Sequence, residues 1–211
     1  MSSLEPYSSI PLVVFKLGGS LFDLPNLVEV LRWAIGQRSD HGAVLVVGGG
    51  ATADVVRAWD HTFGLSPEDA HWLAIEAMGL NEALIARLLP DVRVARSARQ
   101  VTAAVADGRP ALICADCFLR WGEATGLTPL PRSWKVTSDS IAAWTARALG
   151  AGELVLLKSA PLPVDLKTDE AATAGLVDDS FPEIAGSIPR LSWLNARAKP
   201  SRIETWRHLP S

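Results

Sequence analysis

A lysine at the end of a buried strand, followed directly by a glycine turn, is the first feature of this sequence that could do chemistry. Lys16 belongs to the apolar run 12–17, and Gly18-Gly19-Ser20 follow it. An ammonium beside a buried strand is costly without a counter-charge, and N–H groups exposed by glycines before a helix form a cradle for phosphate. The pattern predicts an anion at Lys16. The alternative is a lysine that only reaches out to solvent from an ordinary turn.

A second apolar run, 43–47, also ends in glycines. Gly48-Gly49-Gly50 stand between this run and a segment, 52–63, whose apolar residues have helical spacing. We therefore expect a second candidate anion cradle, since both glycine turns stand at the carboxyl ends of strands.

A polar cluster, Thr137-Ser138-Asp139-Ser140, opens an apolar helical pattern that stops at a glycine. Capping of this helix is the simpler interpretation, because these residue types are good caps and first-turn residues. The functional interpretation is that the cluster lies at the same sheet edge as the glycine turns.

Lys158 follows the apolar run 154–157 and is a second lysine at a strand end. Together with Lys16 and Asp139 it indicates stabilisation of a phosphoryl group during transfer. In this interpretation the carboxylate positions the two ammoniums and does not take a proton.

The elements that must position these residues alternate between strand and helix. This order predicts an α/β fold with an open, mostly parallel sheet sandwiched between helices, a single domain over 1–211, and ligands beyond the carboxyl ends of the strands. We expect strands at 12–17, 43–47, 92–95, 110–115, 154–157 and 191–194, and helices at 25–37, 52–63, 66–89, 97–107 and 141–149, with a last helix opened by Lys199-Pro200-Ser201.

Composition narrows the function classes. The chain has 211 residues, 48% of them hydrophobic, and a formal net charge of -3, so it provides no basic field for nucleic acid. The sequence has neither a targeting segment nor an apolar stretch of spanning length, so we expect a cytoplasmic protein without a membrane partner. Cys114 and Cys117 lack a second ligand pair, so no metal site is predicted. The alternative is a metal or redox role for this pair.

Three segments, 15–20, 47–50 and 137–140, together resemble the amino acid kinase superfamily, which includes acetylglutamate, aspartate, uridylate and carbamate kinases. A narrower resemblance is to the archaeal kinases of methanofuran biosynthesis, which convert [5-(aminomethyl)furan-3-yl]methyl phosphate to the diphosphate. Segments 133–134, 178–182 and 195–200 and His71 carry the narrower resemblance.

The resemblance implies ATP with Mg²⁺, a phosphorylated small-molecule acceptor and a homo-oligomer. It also implies roles for single residues. Lys16 would contact the transferred phosphoryl group, and Asp139 would orient the lysine. Lys158, predicted above from its own position at a strand end, would be the third catalytic residue. The phosphates of the nucleotide would be bound by Gly18, Gly19, Ser20 and Ser138. The acceptor would be bound by Gly48, Gly49, Gly50, His71, Trp134, Thr137 and Asn195. For His71, a partner contact between helices is the alternative, and Trp134 would stack on a flat acceptor ring or simply pack.

The chain departs from the family pattern after the run 154–157. Typical members continue with Thr-Asp-Val-Asp-Gly, which forms much of the nucleotide pocket, whereas this chain reads Lys158-Ser159-Ala160-Pro161. Either Lys158 serves as a second phosphate-binding lysine, or the nucleotide site is remodelled or lost. Two functions follow. One is an ATP-dependent kinase acting on a phosphate-bearing (aminomethyl)furan-type acceptor. The other is a non-catalytic member of the fold that binds a nucleotide or phosphorylated metabolite as a regulator or assembly subunit.

Overall fold

The fold is built on one seven-stranded sheet. The computed structural model describes residues 10–208. The strands are β1 (Leu12–Leu17), β2 (Gly42–Val47), β3 (Arg93–Ala95), β4 (Ala111–Ile113), β5 (Glu153–Lys158), β6 (Arg190–Asn195) and β7 (Ile203–His208). Their order across the sheet is β3-β4-β2-β1-β5-β6-β7, and every neighbouring pair is parallel except β6 and β7. The prediction of an open, mostly parallel sheet is confirmed.

Helices cover both faces of this sheet. They are α1 (Leu27–Gly36), α2 (Ala51–Phe63), α3 (Pro67–Leu88), α4 (Ala98–Ala106), α5 (Ala115–Ala124), α6 (Ser138–Leu149), α7 (Thr168–Thr173) and α8 (Phe181–Ala185), with a short 3₁₀ turn at Gly19–Leu21. One buried cluster joins α1 to one face, and a larger cluster joins α4, α5, α6 and α8 to the other. The sandwich of helices around the sheet is therefore also confirmed.

The alternation of side chains along β1 decides where Lys16 points. Val13 and Phe15 belong to the cluster under α1, whereas Val14 belongs to the cluster under α6. Because side chains alternate between the two faces of a strand, Lys16 shares the α6 face with Val14. The same argument places Lys158 on that face, two residues after Leu156.

The long helix α3 has a strong start and runs across the sheet edge. Ser66 caps it by accepting a hydrogen bond from the backbone N–H of Asp69 at 3.0 Å, and Pro67 occupies its first position. A cap and a proline at these positions satisfy or remove donors that a helix start leaves open. The expected start of this helix is confirmed.

The last element is a strand and not the helix that we expected after Lys199-Pro200-Ser201. β7 lies antiparallel to β6 at the sheet edge. Trp206 stacks on Phe181 with ring centroids 5.9 Å apart and meets Trp193 edge-on at 5.5 Å. This aromatic packing and the free edge of β6 outweigh the local helix-start signal of a proline followed by a serine.

The segment around Cys114 also differs from the prediction. β4 stops at Ile113, and Cys114 is the N-cap residue of α5, a helix that we did not predict. The short helices α7 and α8 were likewise not predicted. Within residues 10–208, no helix combines the length and apolar character needed to cross a membrane.

Candidate active site

Two lysines share one buried aspartate at the carboxyl ends of β1 and β5. The Nζ of Lys16 lies 2.7 Å from Oδ1 of Asp139, and the Nζ of Lys158 donates to Oδ2 of Asp139 at 2.6 Å. The contact of Lys16 is a close ion pair that lacks the angle of a directed hydrogen bond. Lys16 and Asp139 are each only 4% exposed. We call these three residues the Lys–Asp–Lys cluster.

Electrostatics keep Asp139 ionised. Burial opposes its charge, but the neighbouring ammoniums of Lys16 and Lys158 outweigh burial and hold the pKa of Asp139 below its ordinary value. A carboxylate with a depressed pKa and both oxygens facing ammoniums is a poor proton acceptor. Asp139 is therefore placed to hold the two lysines and not to accept a proton.

The surroundings of Lys158 disfavour its charged form. Burial and the charge of Lys16 together lower the pKa of Lys158 to about 8, although Asp139 and Asp178 act in the opposite direction. The ammonium also donates to the carbonyl oxygen of Leu176 at 2.7 Å. An additional anion beside this lysine would stabilise its charged form and raise its pKa, because it would offset the repulsion from Lys16.

The two glycine turns lie back to back beside the cluster. A Cβ on Gly19 would overlap the backbone of Gly50, and a Cβ on Gly50, whose φ is +52°, would overlap the backbone of Gly19. A Cβ on Gly48 would stand 2.8 Å from Oγ of Ser138, and one on Gly18 would stand 2.9 Å from the carbonyl oxygen of Leu157. Glycine is therefore required on both turns for the close approach of backbone to backbone.

A buried asparagine on α3 holds the second turn in place, and the sequence analysis missed it. Nδ2 of Asn81 donates to the carbonyl oxygens of Gly48 and Gly49 at 2.8 and 2.6 Å. Asn81 is buried on a helix whose neighbouring inward residues, Met78 and Ile85, are apolar. A polar residue on an apolar helix face was the signal that could have identified it.

The cap of α6 comes from a distant residue. Oδ2 of Asp178 accepts hydrogen bonds from the backbone N–H groups of Thr137 at 2.9 Å and Ser140 at 3.0 Å. The simpler interpretation had Thr137 cap the helix, but the side chain of Thr137 makes no capping hydrogen bond. Its hydroxyl instead donates to Asp178. Capping from outside leaves Ser138 and Asp139 free to face the sheet edge.

A cavity of about 200 Å³ opens beside the two turns, and we call it the glycine cavity. It brings together eight of the predicted site residues with a mostly apolar wall. The predicted residues are Gly19, Ser20, Gly49, Gly50, His71, Trp134, Thr137 and Ser138, and the other lining residues are Ala53, Asp54, Arg57, Ala74, Ile75, Met78, Ser133, Val136 and Ile141. Lys16, Asp139 and Lys158 do not line this cavity, but Asp139 directly follows Ser138, which does.

The remaining predicted residues lie around this cavity. Gly18 and Gly48 belong to the backs of the turns, where Gly48 N–H donates to the carbonyl oxygen of Leu17 at 2.8 Å. Asn195 is at the end of β6 beside Lys158, and its Oδ1 accepts from the N–H of Arg197 at 3.1 Å. The structure thus separates Asn195 from the other residues expected to bind the acceptor.

Trp134 is fixed against α2 as well as lining the cavity. Its Nε1 donates to Oδ2 of Asp60 at 2.7 Å, and the guanidinium of Arg57 lies 4.2 Å from the ring centroid. A tryptophan held by a hydrogen bond and a cation–π contact presents a rigid wall. These two contacts pack Trp134 against α2, and its position in the cavity wall still permits contact with a ligand.

The segment that departs from the family pattern joins the first glycine turn. Oγ of Ser20 and Oγ of Ser159 are 3.1 Å apart, and Arg197 donates to the carbonyl oxygen of Ser20 at 3.0 Å. Further along, residues 162–169 and 204–207 enclose a second cavity of about 640 Å³. This volume falls in the range of small-molecule sites, so the region after β5 retains space for a ligand.

Metal ligands are not grouped anywhere between residues 10 and 208, where no three His, Cys, Asp or Glu side chains are placed to hold an ion. Burial raises the pKa of the Cys114 thiol to about 11. A protonated thiol is neither a good metal ligand nor a nucleophile. The two turns and the two ammoniums instead fit a phosphate group.

Comparisons with known proteins agree with this geometry. Uridylate kinase from Archaeoglobus fulgidus is 18% identical with a TM-score of 0.59, covering 86% of this chain and 89% of that one. UMP kinase from Ureaplasma parvum is 13% identical with a TM-score of 0.62, covering 91% and 92%. Aspartate kinase from Synechocystis is 15% identical with a TM-score of 0.64, covering 95% of this chain and 41% of that one. At these identities the likeness establishes the fold.

A comparison with curated proteins finds no match. The model of the amino acid kinase family matches residues 11–161, which include both glycine turns and the whole Lys–Asp–Lys cluster. The chain therefore belongs to the amino acid kinase family and is a phosphotransferase that acts on a small molecule.

Proposed function

We propose that this protein transfers the γ-phosphoryl group of ATP to the phosphate of an (aminomethyl)furan-type acceptor in methanofuran or one-carbon cofactor biosynthesis. The observation that carries the proposal is the Lys–Asp–Lys cluster, in which Lys16 and Lys158 contact one carboxylate at 2.7 and 2.6 Å. The two ammoniums and one carboxylate of the cluster carry a net charge of about +1, and Asp178 is a further negative charge that acts on Lys158. A transferring phosphoryl group is the anion that such a site stabilises.

The state of Asp139 supports an acceptor that is already an anion. Both of its oxygens face lysines and its pKa is depressed, so it does not remove a proton from the nucleophile. A phosphate or carboxylate oxygen is ionised at neutral pH and needs no general base. This chemistry favours phosphate or carboxylate acceptors over alcohols.

In the proposed reaction an oxygen of the acceptor phosphate attacks the γ-phosphorus and forms the new P–O bond. The bond from γ-phosphorus to the bridging oxygen breaks, and ADP leaves with that electron pair. Lys16 and Lys158 neutralise the charge on the phosphoryl oxygens, and the backbone of Gly19 and Ser20 holds the nucleotide phosphates. Gly18 shapes the turn, because its N–H already donates to the carbonyl oxygen of Leu157 at 3.0 Å. Mg²⁺ bound to ATP supplies further positive charge.

The choice of a furan-type acceptor rests on the narrower resemblance and on where its residues lie. Trp134 and His71 line the glycine cavity, and Asp178 caps the helix that carries Ser138 and Asp139. A cavity of about 200 Å³ with mostly apolar walls suits a body of one small ring.

A non-catalytic role is the second candidate. The observation that favours it is the segment after β5, where Lys158-Ser159-Ala160-Pro161 replace the acidic family segment. In this alternative the protein binds a nucleotide or a phosphorylated metabolite as a regulator or assembly subunit.

The test is phosphoryl transfer from Mg·ATP to [5-(aminomethyl)furan-3-yl]methyl phosphate, with the product identified by phosphorus-31 NMR. The proposal expects a new diphosphate with wild type and a large loss with Lys16→Ala and Asp139→Asn. If wild type and both variants are equally inactive while nucleotide still binds, the kinase proposal fails and the binding role is favoured. If nucleotide does not bind, the kinase proposal also fails.

We also propose that residues 1–211 form one cytoplasmic domain that assembles as a homo-oligomer. Two helices support the assembly, because each exposes three large apolar residues spaced four apart along one side. These residues are Val55, Trp59 and Phe63 on α2, and Leu80, Leu84 and Leu88 on α3. Such stripes are typical of surfaces that are covered in an assembly. Sedimentation analysis checks this, and a monomer at micromolar concentration would contradict it.

A further inference from the structure

One ring nitrogen of His71 is buried in the wall of the glycine cavity without a partner. His71 is 4% exposed, and its Nε2 has no hydrogen bond within the described structure. Buried polar atoms in proteins are almost always hydrogen-bonded, since an unpaired one costs about 1–3 kcal/mol. An unpaired nitrogen at a cavity wall is therefore expected to meet a group that enters the cavity.

The other ring nitrogen defines which kind of group fits. The ring has a hydrogen bond with the backbone of Ser133 that favours protonation of the imidazole, so the ring donates and the carbonyl accepts. Because Nε2 is unpaired, Nδ1 is the donor. In a neutral imidazole one nitrogen donates and the other accepts, which leaves Nε2 as a hydrogen-bond acceptor.

The charge state supports this tautomer. Burial and the charge of Arg132 together lower the pKa of His71 to about 4, although Glu123, the bond to Ser133 and Glu68 act in the opposite direction. The ring is neutral at physiological pH, so Nε2 carries a lone pair and no proton.

The rest of the wall limits the ligand further. Around His71 the buried lining is apolar, formed by Ile75, Met78, Val136 and Ile141. The groups proposed to bind phosphate, at Gly19, Gly50 and the start of α6, are other residues of the same wall. A fitting ligand is small, has an apolar body, and carries its phosphate and its hydrogen-bond donor at different positions.

We propose that His71 determines acceptor specificity: its Nε2 accepts a hydrogen bond from an N–H or O–H group that the acceptor carries away from its reacting phosphate. The inference rests on the proposed function for the identity of the site, and it adds a requirement on the acceptor. An acceptor without that donor leaves the buried Nε2 unpaired and binds less tightly.

A matched pair of ligands tests this without turnover. The probes are [5-(aminomethyl)furan-3-yl]methyl phosphate and the same compound with a 5-methyl group, titrated calorimetrically into the full chain without ATP. With wild type, the amine is expected to bind about tenfold to a hundredfold more tightly, as for a hydrogen bond to a charged donor.

Two substitutions at His71 separate its ring nitrogens. Asn mimics the Nδ1 donor alone, so His71→Asn should reduce the affinity for the amine to that for the methyl compound. Gln extends an acceptor towards the position of Nε2, so His71→Gln should restore part of the preference. His61→Asn on the exposed surface of α2 is the control and should change neither affinity.

Equal affinity of wild type for the two probes, or binding of neither, would overturn the inference, and this comparison does not depend on any variant folding. A preference that survives His71→Asn would also overturn it. The outcomes remain distinct from those for the kinase itself. A protein that prefers the amine through His71 but never transfers phosphate refutes only the proposed reaction, whereas transfer without the preference refutes only this inference.

Discussion

Replacement of Asp139 by asparagine should destabilise the protein more than an ordinary substitution. The carboxylate contacts Lys16 at 2.7 Å and Lys158 at 2.6 Å, and the three side chains are 6%, 4% and 14% exposed, respectively. Removing one partner of a buried ion pair costs about 3–5 kcal/mol, because a charge is left without compensation. Asp139→Asn leaves two ammoniums in this state, so we expect a loss of about 3–5 kcal/mol in the free energy of unfolding.

Equilibrium unfolding in urea at pH 7, followed by tryptophan fluorescence, measures this loss. The control is Asp91→Asn, which breaks an exposed pair with Arg32 at 2.9 Å and should cost about 0–1 kcal/mol. In a Lys158→Met background, Asp139→Asn should cost about 1–3 kcal/mol less, because only one ammonium then loses its partner.

A cost below about 1 kcal/mol for Asp139→Asn in the wild-type background would contradict the assignment of Asp139 as the counter-charge of both lysines. It would mean that the carboxylate does not hold two charged lysines. An equal cost of Asp139→Asn in the wild-type and Lys158→Met backgrounds would show that Asp139 does not stabilise the charge of Lys158.

Three further predictions concern Lys158, Asn81 and the glycine turns. The pKa of Lys158 is 10.5 in the unfolded chain and about 8 in the folded protein, so the unfolded chain binds more protons between pH 8 and pH 10.5. The free energy of unfolding should therefore rise by up to about 3 kcal/mol over this range. Urea titrations at several pH values measure this rise, and Lys158→Met should flatten it. Asn81→Ala should cost about 1–3 kcal/mol in urea unfolding, because it removes the side-chain donor of the buried Gly48 carbonyl and one of the donors of the Gly49 carbonyl, which Thr52 also bonds. Gly19→Ala should unfold the protein or cost more than about 3 kcal/mol, whereas Gly36→Ala, with nothing within 4 Å, should be neutral or stabilising; thermal unfolding compares the two, and equal effects would contradict the packing of the turns.

The parts that the sequence predicted depend on local patterns. The apolar run that contains Lys16 specifies a buried strand, and the glycines after it specify a turn whose backbone approaches another backbone. Strand-helix alternation then brings Lys16 and Lys158 to one edge of the sheet, because parallel strands end on the same side. Asp139 could be placed with them because it opens the helix that packs on that edge.

The parts that were missed depend on partners far away in the chain. Asp178 caps a helix about forty residues earlier, and Asn81 binds a turn more than thirty residues before it. Local propensity contains no information on such contacts. The helix at Ala115–Ala124 was missed because Cys114 is not a usual cap residue, and β7 was mistaken for a helix because its partner strand and the ring of Phe181 decide its conformation.

The most direct test of the central claim is the single-turnover rate of phosphoryl transfer for Lys16→Ala. We expect this rate to fall at least about a hundredfold with nucleotide affinity changed only a few-fold, since an ammonium at the developing charge acts mainly in the transition state. Lys135→Ala, at an exposed lysine, should leave the rate unchanged. A Lys16→Ala rate within tenfold of wild type would contradict the assignment of the Lys–Asp–Lys cluster to the transferred phosphoryl group.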